Sequence, residues 1–143
     1  MIESRTIESL TIGDHLCCLY ETDAEHRRLL TAYMRLGLER NERVLYIVDA
    51  RSQEQILGYL RDDGLDPAPP IASGQLAVLP PEGAYLRDGV FDPDAMIEVL
   101  RGATARALED GYDALRVTGE MSWVLRDPPG AERLIEYEAK LNH

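Results

Sequence analysis

Long apolar runs are missing from this 143-residue chain. Stretches such as Val44-Leu45-Tyr46-Ile47-Val48 fall far short of the roughly 20 residues needed to cross a bilayer. The first ten residues carry no basic segment followed by an apolar core, so no secretion signal is read there. A cytosolic location is the default expectation. Basic residues are also scarce, with 15 Lys and Arg against 26 Asp and Glu, a formal charge of −11. Nucleic-acid affinity rests on cations that neutralise phosphates, so direct binding to nucleic acid is not expected. Anionic membrane surfaces are disfavoured for the same reason. Cysteine is limited to two adjacent residues, Cys17 and Cys18. Neighbouring side chains on a strand point to opposite faces, so two thiols are expected rather than a disulfide. Neither a structural zinc spacing nor a disulfide framework is present.

What is present is the profile of one soluble globular domain spanning 1–143, with 45% apolar and 29% charged residues. Short β-rich runs alternate with longer helical patterns. Leu16 to Tyr20 reads as a first strand, followed by a helix capped near Asp23 and ended near Asn41. Arg43 to Val48 is the clearest strand, continuously apolar from Val44, as expected for a strand covered on both faces. Ser52 caps a second helix that Gly64 ends. Asp66 to Ser73, with three prolines, reads as a loop, and Gln75 to Leu79 as a third strand. Pro80 to Gly89 is a loop, and Pro80 to Phe91 as a whole is a candidate lid. Asp92, with Pro93 behind it, caps a helix that Gly111 closes. Ala114 to Thr118 is a fourth strand, and Gly119 to Trp123 a turn region. Ala131 to Leu141 is the final helix. Alternating strands and helices imply βαβ crossovers and a parallel sheet. The expectation is a three-layer αβα sandwich with a mostly parallel sheet of four or five strands.

The segments Gly13-Asp14-His15-Leu16-Cys17-Cys18-Leu19-Tyr20-Glu21, Arg43-Val44-Leu45-Tyr46-Ile47, Gly119-Glu120-Met121-Ser122-Trp123 and Glu136-Tyr137-Glu138, in that order, resemble the MEDS domain, the methanogen/methylotroph, DcmR sensory domain. The resemblance covers nearly the whole chain. It implies a divergent RecA-like fold without a working nucleotide site. It also implies a sensory role in prokaryotic signalling proteins, beside histidine kinase, DNA-binding or sigma-regulatory modules. The ligands it implies are simple hydrocarbon derivatives. An early His-x-Cys pair, here His15 and Cys17, is the ligand or metal contact it suggests. Family members usually continue into further β structure, so a fragment of a longer sensor is expected. A sheet edge left uncovered would favour a homodimer.

The residues agree on the nucleotide question. A phosphate loop needs glycines and a Gly-Lys-Ser/Thr ending. The corresponding turn, Tyr20 to His26, has neither Gly nor Lys and carries Glu21, Asp23 and Glu25 instead. Those carboxylates already satisfy the positive end of the helix dipole. A residual nucleotide-binding or ATPase domain is the rival reading, and an interaction scaffold without ligand is another.

Spacing i, i+2 on a strand puts His15 and Cys17 on one face, where an imidazole and a thiolate could meet a small ligand or a metal. Two ligands are too few for structural zinc; the bland alternative is a His at the strand mouth and a Cys packed as a small hydrophobe. Glu120 follows the fourth strand at its carboxyl end, where parallel sheets bind ligands. Trp123 would supply an apolar wall, or else pack on the last helix. Tyr20, at the carboxyl end of the first strand, belongs with Glu120 better than His15 does. Tyr46, Arg51 and Tyr85 are candidate rim residues. Ser122 lacks a nucleophile turn, and His26 reads as solvated on a charged helix face. The expectation is a non-catalytic domain without a cofactor, whose partners are a small organic ligand and an effector domain or signalling partner.

Overall fold

A computed structural model describes residues 10–13 and 22–141. Its centre is a parallel sheet of three strands among these residues, β1 (Glu42–Ile47), β2 (Leu76–Leu79) and β3 (Ala114–Gly119), in the order β2-β1-β3. Val44 stands opposite Leu76 on one side and opposite Arg116 on the other. The expected strand from Leu16 to Tyr20 lies outside the described residues, so the expected four or five strands are met here by three.

The apolar run of β1 has a simple cause. Strand side chains alternate between faces, and both faces are covered. Val44 and Tyr46 join Leu30 and Met34 of α1 (Asp23–Glu39) and Ile56, Leu57 and Leu60 of α2 (Gln53–Asp62). Leu45 and Ile47 point the other way, into a cluster with Met96 of α4 (Pro93–Glu109), Trp123 and Tyr137 of α5 (Leu134–Lys140). Each such fully buried side chain contributes about 1.5–3 kcal/mol from apolar transfer.

Helix ends follow the sequence signals. Thr22 accepts the Glu25 N–H and starts α1, one residue ahead of the expected cap. Ser52 and Gln55 form a reciprocal capping box on α2. Asp92 accepts from Asp94 and Ala95 N–H, with Pro93 at the first helical position. Asn41, just past α1, adopts φ 58°. It holds that conformation while donating from Nδ2 to the Gly111 carbonyl.

Two segments depart from expectation. Asp66 to Ser73, read as a loop, contains a short helix, α3 (Ala68–Ser73). Its prolines, Pro69 and Pro70, fall in the first turn, where the missing N–H has no helical partner to lose. Pro80 to Phe91, read as a candidate lid, is packed down: Pro81, Ala84, Tyr85, Leu86 and Phe91 are all buried. A segment that supplies this much of the core is part of the scaffold. The final helix also begins later than expected, after a 3₁₀ turn over Ala131–Arg133.

Candidate functional site

The carboxyl ends of β1 and β3 meet around Glu120. The register places Ile47 beside Gly119, and Glu120 N–H donates to the Ile47 carbonyl at 2.9 Å. The side chain therefore starts beside the turn that follows β1. Its carboxylate is 8% exposed. One oxygen accepts the backbone N–H of Asp49 at 2.7 Å and of Arg51 at 3.2 Å. The other accepts the Tyr46 hydroxyl at 3.2 Å and Arg51 Nη1 at 3.5 Å. A buried carboxylate needs such donors, and here they come from β1 and the turn beyond it. Glu120 thus pins the post-β1 turn to the end of β3.

From Glu120 two paths lead to α1. Arg51 Nη2 donates to Asp23 Oδ1 at 2.8 Å. Tyr46 Oη lies 3.2 Å from His26 Nε2. Tyr46 Oη also donates to Glu120, so the phenol bridges the imidazole and the carboxylate. The expectation of a solvated His26 is corrected: the residue is 3% exposed. It shares a helix stripe with Leu30 and Met34, at i, i+4 and i+8, and that stripe faces the sheet. Burial, aided by the charge of Arg51, holds its pKa below 6.5, against the opposing charges of Glu120 and Asp23. Burial and then the Glu120 charge push the Tyr46 phenol well up.

Asp49 forms the other arm. Its carboxylate takes both terminal nitrogens of Arg126, at 2.8 and 3.0 Å, and the Ser122 hydroxyl at 2.6 Å. The Arg126 hydrogen bonds hold its carboxyl below the usual range, with burial opposing and Ser122 assisting.

Two clefts open here. One, of about 430 Å³, lies over the ends of β1 and β2 and is lined by Val48, Val78, Pro80, Pro81, Asp49 and Arg51, among others. The second, of about 800 Å³, lies between α1 and α2 and is lined by Asp23, Ala24, Arg27, Ala50, Arg51, Gln55 and Tyr59. Arg51 lines both.

The structure thus brings Glu120, Tyr46 and Arg51 together, but of the three only Arg51 lines a cleft, and Tyr46, expected at a rim, is buried. It places Trp123 elsewhere: the indole has no exposed surface and packs 5.0 Å from Phe91 and 5.2 Å from Tyr85, centroid to centroid. It lines neither cleft. Tyr85 is buried in the same cluster. His15, Cys17 and Tyr20, with Cys18, lie outside the described residues. Among the described residues no group of three or more His, Cys, Asp or Glu is placed to hold a metal. No described helix is long and apolar enough to cross a membrane. His26 and Asp49 were missed from sequence. The i, i+4, i+8 spacing with Leu30 and Met34 is the signal that finds His26; for Asp49, its place just past a buried strand is the only one.

Comparison with known proteins gives a consistent result. The family model for MEDS, the methanogen/methylotroph, DcmR sensory domain, matches residues 14–143. The transcriptional repressor DcmR of Methylorubrum extorquens (strain DSM 6343 / CIP 106787 / DM4) is 27% identical over 130 residues. That alignment covers 91% of this chain and 46% of the repressor, so the chain spans a little under half of that relative's length. No solved structure matches significantly. With the family model spanning nearly the whole chain, this protein belongs to the MEDS family of sensory domains.

Proposed function

We propose that the chain is the ligand-sensing domain of a prokaryotic signal-transduction or transcription-regulating protein, and that it binds a small hydrocarbon derivative at the carboxyl ends of its strands. The observation that carries this reading is the cleft over β1 and β2. Val48, Val78, Pro80 and Pro81 give it one apolar wall, and Asp49, Arg51, Ser52, Gln53 and Glu82 give it polar groups beside the Glu120 network. An apolar wall faced by placed polar groups suits a small organic ligand with a polar end. Its position outside the carboxyl ends of parallel strands is the usual one for such sheets.

The network offers a route for the signal. Arg51 lines the cleft and bonds both Glu120 and Asp23 of α1. A ligand that draws Arg51 away from either partner biases the position of α1 against the sheet. Only the difference in affinity for the two arrangements drives such a shift. Output then passes to a following effector domain, a signalling partner or a second copy. His15, Cys17 and Tyr20 belong to the proposal as further ligand contacts, with a metal between His15 and Cys17 as one form of it. Trp123 contributes by holding the turn after β3 rather than by touching ligand. The scaffold is proposed to be RecA-like with its phosphate site lost. Asp23 and Glu25 in the first turn of α1 support that reading, since carboxylates there occupy the positive end of the helix dipole that a phosphate would otherwise use.

The test is native mass spectrometry and calorimetry of the purified protein with short alcohols, haloalkanes and Mg-ATP, with elemental analysis alongside. Binding of a neutral small molecule without heat from Mg-ATP is the expected result. Persistent emptiness, or tight Mg-ATP binding, contradicts it.

A further inference from the structure

The cleft between α1 and α2 differs in character from the one over the strand ends. Its described lining carries two guanidinium groups, Arg27 and Arg51, and one carboxylate, Asp23; the other residues are Ala24, Ala50, Gln55 and Tyr59. Each guanidinium is already paired, Arg51 with Glu120 and Asp23 and Arg27 with Asp62, but two of those three carboxylates, Asp23 and Asp62, are exposed. We propose that this cleft is a second binding site, for a small organic monocarboxylate gripped by Arg27 and Arg51.

Arg51 is largely withdrawn from solvent, 13% exposed, and sits between Glu120 and Asp23. Glu120 is buried, so that contact is retained. Asp23 is 91% exposed, and its pairing with Arg51 is a surface ion pair. Such pairs are worth about 0–1 kcal/mol. A ligand carboxylate can replace Asp23 on the same guanidinium at little cost. Arg27 repeats the pattern. It donates to Asp62 at 2.5 Å, and Asp62 is 65% exposed. Its guanidinium lies 5.4 Å from the centre of the Tyr59 ring. The ring, with Ala24 and Ala50, offers apolar surface to the rest of the ligand. Guanidinium groups suit this task because their planar donors match a carboxylate. A ligand here competes with Asp23, and so acts on one of the two links between Glu120 and α1. Arg51 lines both clefts, but the site stands on the chemistry of Arg27, Arg51 and Tyr59 and does not depend on what the other cleft binds.

The test is isothermal titration of the full chain with acetate, propionate and benzoate, with propionamide and benzamide as neutral counterparts and inorganic phosphate as a second anion. The expected result is binding of a carboxylate but not its amide, weakening with added salt. Asp23→Asn removes the competing carboxylate from an exposed position and tightens binding about two- to fivefold. Arg27→Gln weakens it, and Arg51→Gln weakens it about tenfold or more. Equal binding of amide and acid overturns the proposal, as does preference for phosphate over every carboxylate. Unchanged or weaker binding in Asp23→Asn also overturns it, and because that residue is exposed the variant isolates competition from folding. If no carboxylate binds while a neutral alcohol or haloalkane does, this inference fails and the proposed function stands.

Discussion

The carboxylate of Glu120 collects two backbone amides, a phenol and a guanidinium, and the residues around it divide the work between holding and titrating. Among them, His26 is an imidazole whose protonation burial disfavours. Its folded pKa lies below 6.5, mainly through burial and then through Arg51. The folded state thus binds fewer protons than the unfolded state in the range between the lowered value and 6.5. Its contribution to stability is fully present above 6.5 and is lost as pH falls through the folded value. Urea midpoints of the protein are expected to fall between about pH 7 and about pH 5, with a shallower fall in His26→Gln. Equal slopes in the two proteins contradict this role for His26. The position of Glu120 past the carboxyl end of a parallel strand was legible from sequence, but not that its side chain turns into a buried network and lines neither cleft. His26 was not: Glu25, Arg27 and Arg28 surround it in sequence and hide a stripe that shows only when His26 is counted with Leu30 and Met34.

Helices and strands were legible where local chemistry and burial agree. The caps at Ser52 and Asp92 and the glycine stops at Gly64 and Gly111 all mark real ends. The exception at Asp66 to Ser73 shows why a count of prolines misleads. Their position in the turn decides, and a first turn tolerates them. Glycines inside helices need the same attention to place. Gly37 of α1 packs against the sheet, and a Cβ there would lie 2.6 Å from Arg116 Cδ and 2.7 Å from Val44 Cγ2. Arg116 cannot yield freely, because it is buried, bonded to Glu42 at 2.7 Å and to the Tyr33 carbonyl at 3.1 Å. Gly37→Ala is therefore expected to cost about 1–3 kcal/mol by overpacking, although alanine is the better helix former. Gly58 of α2 has open space at the same position. Gly58→Ala is expected to stabilise by about 0.5–1 kcal/mol. Urea unfolding of both variants checks the pair. A neutral or stabilising Gly37→Ala would show that α1 does not approach the sheet this closely.

At the scale of the molecule, helices cover both faces of the described sheet, and both clefts open at its carboxyl edge, where the Glu120 network lies. The parallel order was legible because crossovers between alternating strands and helices permit little else. The division of that edge into two clefts was not, since it depends on Arg51 reaching both Glu120 and α1 across parts of the chain far apart in sequence. Backbone amide NMR during titration with a bound alcohol or haloalkane reads the central claim most directly. Shifts are predicted at Val48 to Gln53 and Val78 to Glu82, spreading to Glu120 and the first turn of α1. Shifts confined to the amino ends of the strands, around Glu42 and Ala114, would contradict a sensor whose ligand enters at the carboxyl edge.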